Sequence, residues 1–203
     1  MLEARNIACQ KGQSDLFHGV SLRVEPGNVL LVRGANGSGK TSLLRILAGL
    51  SAPREGEVLW CGTRVDSWAL ALRKRTLYLG HTAPLKDDLT VMENLVFALR
   101  LDGCAVFPNR CLQALEDVGL GARRHLLAKQ LSQGQRRRIG IARMLLASCA
   151  LWLLDEPTTA LDAEGDRLFK SVLREHLSMR GLAVVTTHQA LDIWPSAQEL
   201  TLQ

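Results

Sequence analysis

GANGSGKT, residues 34–41, is the stretch from which the fold is read. It fits G-x-x-x-x-G-K-[ST], a loop that wraps a polyphosphate. Gly34, Gly37 and Gly39 let backbone N–H groups converge without a Cβ in the way, and Ala35, Asn36 and Ser38 complete the turn. Lys40 brings a mobile cation to the phosphate oxygens, and Thr41 offers a hydroxyl to Mg2+. The flanks carry the structure such a loop needs. NVLLVR (28–33) is an apolar, β-branched-containing run that predicts a buried strand, and TSLLRILAGL (41–50) has helical apolar spacing. That helix opens at the phosphates, where its dipole favours anions. A Gly-rich turn alone matches the pattern by chance; a strand, the turn and a helix in succession do not.

On either side, residues 2–8 and 20–24 alternate as strands do, and Pro26 and Gly27 turn the chain into the strand before the loop. With EVLWC (57–61), followed by Gly62, these predict an antiparallel β layer beside the phosphate loop. TLYL (76–79) is a short buried strand. Helices then dominate: Thr90-x-x-Glu93 has the capping-box form ahead of 94–101, and 109–118 is amphipathic and ends at Gly119. After them come a buried strand at 151–155, a helix over 163–178 with Leu168, Phe169, Val172, Leu173 and Leu177 on one face, and a last strand at 182–187. Strands alternating with helices predict a mostly parallel α/β core. The expected organisation is one domain over 1–203, with core and β layer in about 1–84 and 150–203 and a helical lobe in about 85–149.

Two further stretches carry chemistry. In LWLLDE (151–156) four apolar residues deliver two adjacent carboxylates to the sheet edge where ligands sit. Asp155 is expected to hold Mg2+ with Thr41, and Glu156 to polarise an attacking water. An apolar strand ending in Asp-Glu is by itself only a solvated strand end; the phosphate loop gives it meaning. In LSQGQRRR (131–138) a second capping box, Ser132-x-x-Gln135, starts a helix expected to run to about residue 149. Its N-terminus, with Ser132 and Gly134, is a second anion site, and one chain needs only one.

Composition bounds the rest. A chain of 203 residues with 47% hydrophobic content folds as one domain. The net charge of +5 is scattered, with clusters only at 73–75 and 136–138 and no aromatics among them. This predicts a solvated helix face or a phosphate-adjacent patch rather than a nucleic-acid surface. Five cysteines, odd in number and without C-x-x-C, fit reduced thiols. The start MLEAR (1–5) leads into no apolar leader segment. The longest apolar run, 144–154, is short of the roughly 20 residues of a membrane helix, so no span is expected.

Together these stretches resemble the nucleotide-binding subunits of ATP-binding cassette (ABC) transporters over nearly the whole chain. The resemblance implies an ATPase of phosphate-loop type with ATP as substrate and Mg2+ as cofactor. The implied ATP-binding set is Gly34, Ala35, Asn36, Gly37, Ser38, Gly39, Lys40, Thr41 and Ser42, with Thr41 and Asp155 as metal ligands. Lys40, Glu156 and His188 are the implied catalytic residues, His188 as the switch histidine that meets the γ-phosphate. Leu131, Ser132, Gln133, Gly134 and Gln135 match the family's signature, and Ala160, Leu161 and Asp162 its D-loop. A head-to-tail homodimer is also implied, each ATP lying between the phosphate loop of one copy and the signature of the other. Two positions depart from the pattern. His81 stands where most relatives carry the Q-loop glutamine, and is expected to reach the Mg2+-water shell or the γ-phosphate. Gln10 or Lys11 stands where relatives stack adenine on an aromatic, while Phe17 belongs to the core; weak adenine stacking is expected.

Weaker signals, namely MLEAR (1–5), GEVLW (56–60), YLGH (78–81) and TTHQ (186–189), are similar to the ATP-binding subunits of haem exporters in bacterial cytochrome c maturation. That similarity implies a peripheral subunit on the cytoplasmic face of the inner membrane, bound to an integral membrane permease and driving haem export or delivery. No haem is expected on this chain: C-x-x-C-H is absent, and His18, His125 and His176 show no ligand partners. The alternatives are the ATPase subunit of another ABC exporter, or a soluble cassette ATPase acting on nucleic acid or ribosomes.

Overall fold

The computed structural model describes residues 1–12, 14–65, 72, 75–81, 84–188 and 197–202. Arg73 and Lys74 of the first basic cluster, Thr82 and Gln189 lie outside the described residues. The chain divides into two compact units, one of Met1–His81, Cys149–Pro157 and His176–Gln203, the other of Thr82–Ser148 and Thr158–Glu175. The segment 158–175, assigned to the core from sequence, groups with the second unit by its contacts.

The first unit holds two sheets. Strands β1 (Leu2–Lys11), β2 (Ser14–Val24), β4 (Glu55–Trp60) and β5 (Thr63–Arg64) form an antiparallel sheet in the order β2-β1-β4-β5. Gly56 in β4 has φ +80, and a Cβ there would lie 2.2 Å from the carbonyl oxygen of Arg5, so only glycine permits this strand pairing. The second sheet is parallel throughout, in the order β6-β7-β8-β3-β9: β6 (Thr76–Leu79), β7 (Leu151–Asp155), β8 (Leu182–Thr186), β3 (Val29–Arg33) and β9 (Gln198–Thr201). Val29 to Val32 of β3 and all of β7 and β8 are buried, as a parallel sheet covered on both faces requires. Each fully buried Leu or Val there contributes about 1.5–3 kcal/mol. Because the strands are parallel, their C-terminal ends share one edge. The register pairs Leu79 with Leu154, Asp155 with Thr186, and Val32 with Thr186, so the residues following β3, β6, β7 and β8 are neighbours although far apart in sequence. Helix α1 (Lys40–Leu47) turns Leu43, Leu44, Ile46 and Leu47 into the core with Leu30, Val32, Leu153 and Val184.

The second unit is helical: α2 (Val91–Leu101), α3 (Pro108–Asp117) and α4 (Gln133–Leu146), with most of α5 (Ala163–Ser178). Both expected capping boxes are present, Thr90 with Glu93 on α2 and Ser132 with Gln135 on α4. Buried Asn94 donates to the carbonyl oxygens of Lys86, Leu89 and Thr90 and accepts from the Lys86 N–H, which closes the loop ahead of α2. Arg143 on α4 makes a bidentate pair with Asp102 at the end of α2, both contacts 2.6 Å.

Several boundaries differ from the sequence reading: β2 begins at Ser14 rather than near residue 20, and α1 ends at Leu47 rather than near 50. Helix α4 stops at Leu146 instead of near 149, because Ala147 is already extended (ψ 125). The chain must straighten here: Ala150 accepts from the Leu182 N–H beside β7. Strand β9 was not foreseen; QELT is polar and mostly exposed, which suits the sheet edge and hides it from a search for apolar runs.

Candidate functional site

In the first unit the phosphate loop links the end of β3 to α1. Gly34, Gly37 and Gly39 have φ values of +151, +87 and +94, in the region that favours glycine. A Cβ on Gly34 would meet Ser38 Oγ at 2.5 Å, and one on Gly39 would lie 2.9 Å from the Phe17 ring. Phe17 is thus core beneath the loop, as expected. Helix α1 starts at Gly39 with no side-chain cap and no acidic residue in its first turn, so its N-terminal N–H groups keep their dipole and donors for an anion. Lys40 is buried, and its Nζ donates to the carbonyl oxygens of Gly34 at 2.9 Å and Ala35 at 3.0 Å. The cation therefore sits at the mouth of its own loop. Asn36 lies on that loop, and Ser42 in the first turn of α1.

Thr41 Oγ1 donates to Asp155 Oδ2 at 2.7 Å, joining residues 114 positions apart. Asp155 is only 1% exposed, and its other oxygen accepts from Thr186 Oγ1 at 2.7 Å. Thr186 Oγ1 in turn accepts from the Glu156 N–H at 2.9 Å. One hydroxyl at the end of β8 thus fixes both carboxylate residues. Burial first, and Asp155 second, push the Tyr78 phenol above its ordinary range.

Glu156 adopts φ +48, a left-handed conformation that costs a non-glycine residue about 1–2 kcal/mol. Its Oε1 lies 2.9 Å from His188 Nε2, and its Oε2 lies 3.5 Å from His81 Nδ1. His81 thus lies beside the carboxylate that follows β7. Gln10 and Lys11 are exposed at the end of β1.

In the second unit Ser132 caps α4, its Oγ accepting from the Gln135 N–H at 3.2 Å while Gln135 Oε1 accepts from the Ser132 N–H at 3.0 Å. Leu131 is buried beside it and Gln133 is exposed. A Cβ on Gly134 would come 2.7 Å from the carbonyl oxygen of Ala160, which itself has φ +65. The signature helix start and the D-loop are thus packed backbone to backbone. Leu161 donates its N–H to the Thr158 carbonyl, and Asp162 Oδ1 accepts from the Gly165 N–H at 2.8 Å in the first turn of α5.

From sequence, Arg138 is expected with its neighbours on a solvated helix face or in a phosphate-adjacent patch. Instead it is 12% exposed and donates to both oxygens of Asp162 (2.8 and 2.9 Å), to Glu164 (3.0 Å) and to the Val118 carbonyl (2.9 Å). The Gly165 N–H and then Arg138 hold the Asp162 carboxyl below the usual carboxylate range. Arg136 pairs with Asp87 at 2.7 Å. Ser132 to Gln135, Arg138, Ala160 and Asp162 line an open groove of about 630 Å³ in this unit.

The structure thus gathers Lys40, Thr41, Asp155, Glu156, His188 and His81 in one unit, and the signature and D-loop residues in the other. Sequence reasoning missed Thr186, whose role depends on strand register, and Arg138, whose basic neighbours disguised it.

Among known proteins, the family profile described as ABC transporter matches residues 17–159. The cytochrome c biogenesis ATP-binding export protein CcmA of Nitrosomonas europaea is 47% identical over 191 residues, covering 94% of this chain and 90% of that protein. The protein of the same name from Nitrosospira multiformis is 45% identical over 192 residues, covering 95% and 93%. An ATP-binding cassette solved as a dimer in a post-hydrolysis state with ADP and Pi superposes with a TM-score of 0.81 at 26% identity, covering 93% of this chain and 88% of its own. With phosphate loop, carboxylate strand and signature helix all in place, the chain belongs to the ABC transporter family, and within it to the group of the cytochrome c biogenesis ATP-binding export proteins.

Proposed function

We propose that the chain is the ATP-hydrolysing subunit of a membrane ABC complex, and that it couples hydrolysis to haem export or delivery for c-type cytochrome biogenesis. The hydrolytic reading rests on one observation above all: Thr41 at the uncapped start of α1 is bonded to the buried Asp155, with Glu156 next in sequence. The haem reading rests on the relatives named for cytochrome c biogenesis, which match across nearly their whole length.

Thr41 and Asp155 fit Mg2+, since a hydroxyl and a carboxylate 2.7 Å apart are hard oxygen donors of the kind it takes. They would hold the ion, directly or through water, and the bound ion neutralises charge on the phosphate oxygens. Lys40 leaves the carbonyls of Gly34 and Ala35 for the β- and γ-phosphate oxygens, while the α1 N-terminus and loop amides hold the β-phosphate. Glu156 accepts a proton from the attacking water as its oxygen bonds to the γ-phosphorus and the bond to the leaving ADP oxygen breaks. His188 turns from Glu156 to the γ-phosphate, and the α4 N-terminus of a second copy brings its donors to the same group.

Two copies then form a head-to-tail homodimer on the cytoplasmic face of the inner membrane, joined to an integral membrane permease. Among the described residues no helix is long and apolar enough to cross a membrane. The test is made in cells lacking the native subunit, where Glu156→Gln should leave haem attachment to c-type cytochromes near background. Wild-type levels of holocytochrome with that variant would overturn the proposal.

A further inference from the structure

We propose that His81 is a positioning residue for Glu156, holding Oε2 of the carboxylate while His188 holds Oε1. The inference deepens the hydrolytic reading and rests on Glu156 being the carboxylate that activates water. Two imidazoles converge on the two oxygens of one side chain, at 3.5 Å from His81 and 2.9 Å from His188. Topology brings them there: Leu79 pairs with Leu154 in a parallel register, so His81, two residues past β6, comes level with Glu156, the residue that follows β7.

The carboxylate needs this help. The last torsion of a glutamate side chain is broad and nearly two-fold, so one contact leaves the carboxylate plane free to turn. Its backbone is already fixed by Thr186, whose Oγ1 and carbonyl oxygen both accept from the Glu156 N–H. A second donor on the opposite oxygen helps to set the plane of the carboxylate. When His188 turns to the γ-phosphate, His81 is the imidazole that stays on Glu156. At 3.5 Å the contact is longer than an ordinary hydrogen bond, and this positioning role requires it to shorten when nucleotide closes the site. Nδ1 donates, which a glutamine amide at the same position can also do through its NH2 group.

The test uses the full chain with ATP and Mg2+, comparing wild type, His81→Ala, His81→Gln, Glu156→Gln and the Glu156→Gln/His81→Ala double variant in steady-state and single-turnover hydrolysis. His81→Ala is expected to lower kcat about tenfold, or about 1.4 kcal/mol of barrier, with KM changed less than about twofold. His81→Gln should recover at least about half of the rate. In the Glu156→Gln background, His81→Ala should have no further effect, because the group it positions is gone. The proposal is overturned if His81→Ala leaves kcat unchanged, if it raises KM instead, or if it slows the Glu156→Gln enzyme by the same factor. Undiminished turnover of Glu156→Gln itself would instead remove the hydrolytic role of Glu156, a separate and recognisable failure. Equal thermal midpoints for His81→Ala and wild type exclude a folding defect, as expected for a ring that is 58% exposed.

Discussion

Replacing Thr186 with valine removes one oxygen from the centre of the site and almost nothing else. Thr186 is fully buried; its Oγ1 donates to Asp155 Oδ1 at 2.7 Å and accepts from the Glu156 N–H at 2.9 Å. Valine keeps the branched shape that β8 packs, so no cavity opens. The lost bond to a buried carboxylate costs about 1.5–3 kcal/mol, and the weakened Glu156 N–H adds less, because that group keeps the Thr186 carbonyl at 3.2 Å. The total is about 3 kcal/mol. For a chain of this length each kcal/mol moves the midpoint by roughly 2–4 °C, so thermal unfolding should shift down by about 6–12 °C. Thr186→Ser, which keeps the hydroxyl, should recover most of the shift. The assay is a thermal melt of the three proteins at neutral pH, followed by nucleotide-binding titrations. If the valine protein melts with wild type while serine melts lower, the methyl rather than the hydroxyl matters, and the hydroxyl relay from Glu156 to Asp155 is refuted.

Two further outcomes are expected. Arg138→Met should speed amide hydrogen exchange in residues 158–165 while leaving 34–41 unchanged, since Arg138 holds Asp162 and Glu164; its effect on overall stability should be small because both carboxylates are largely exposed. Uniform exchange across both segments would contradict that role. His176 is buried, stacked on Trp152 at 3.7 Å, and donates Nε2–H to the Leu182 carbonyl; burial pushes its pKa below the ordinary histidine range, the bond to Leu182 opposing it. The unfolded chain therefore binds this proton more readily, so the stability it allows is complete above about pH 6.5 and is lost as pH falls from there through the lower folded value. His176→Phe should flatten the slope of unfolding midpoint against pH in that window, and an unchanged slope would assign the effect to other groups.

The phosphate loop, the carboxylate strand and the two capping boxes were legible because each is a local pattern: apolar period, glycine placement, or a side chain reaching three residues along. The same holds for most of β1, for the second half of β2 and for most of the helices. What the sequence hid depends on strand order. Thr186 looks like any strand-end threonine until β8 is known to lie between β7 and β3, which puts its hydroxyl on Asp155. Arg138 sits in a run of three arginines, and only the fold of the D-loop back onto α4 separates it from its solvated neighbours. His81 was legible as a departure from the family's glutamine, but its partner was not, because β6 and β7 are joined only through the parallel register. Edge strand β9 carries too little apolar character for its period to show.

The most direct measurement is the behaviour of purified Glu156→Gln with ATP and Mg2+. Its molecular mass should double on ATP addition and stay doubled, with hydrolysis slowed at least about a hundredfold, because the water is no longer activated while both halves of the site still hold the nucleotide. A variant that remains monomeric with bound ATP would contradict a site completed by the signature helix of a second copy, and one that hydrolyses ATP at the wild-type rate would contradict the role of Glu156.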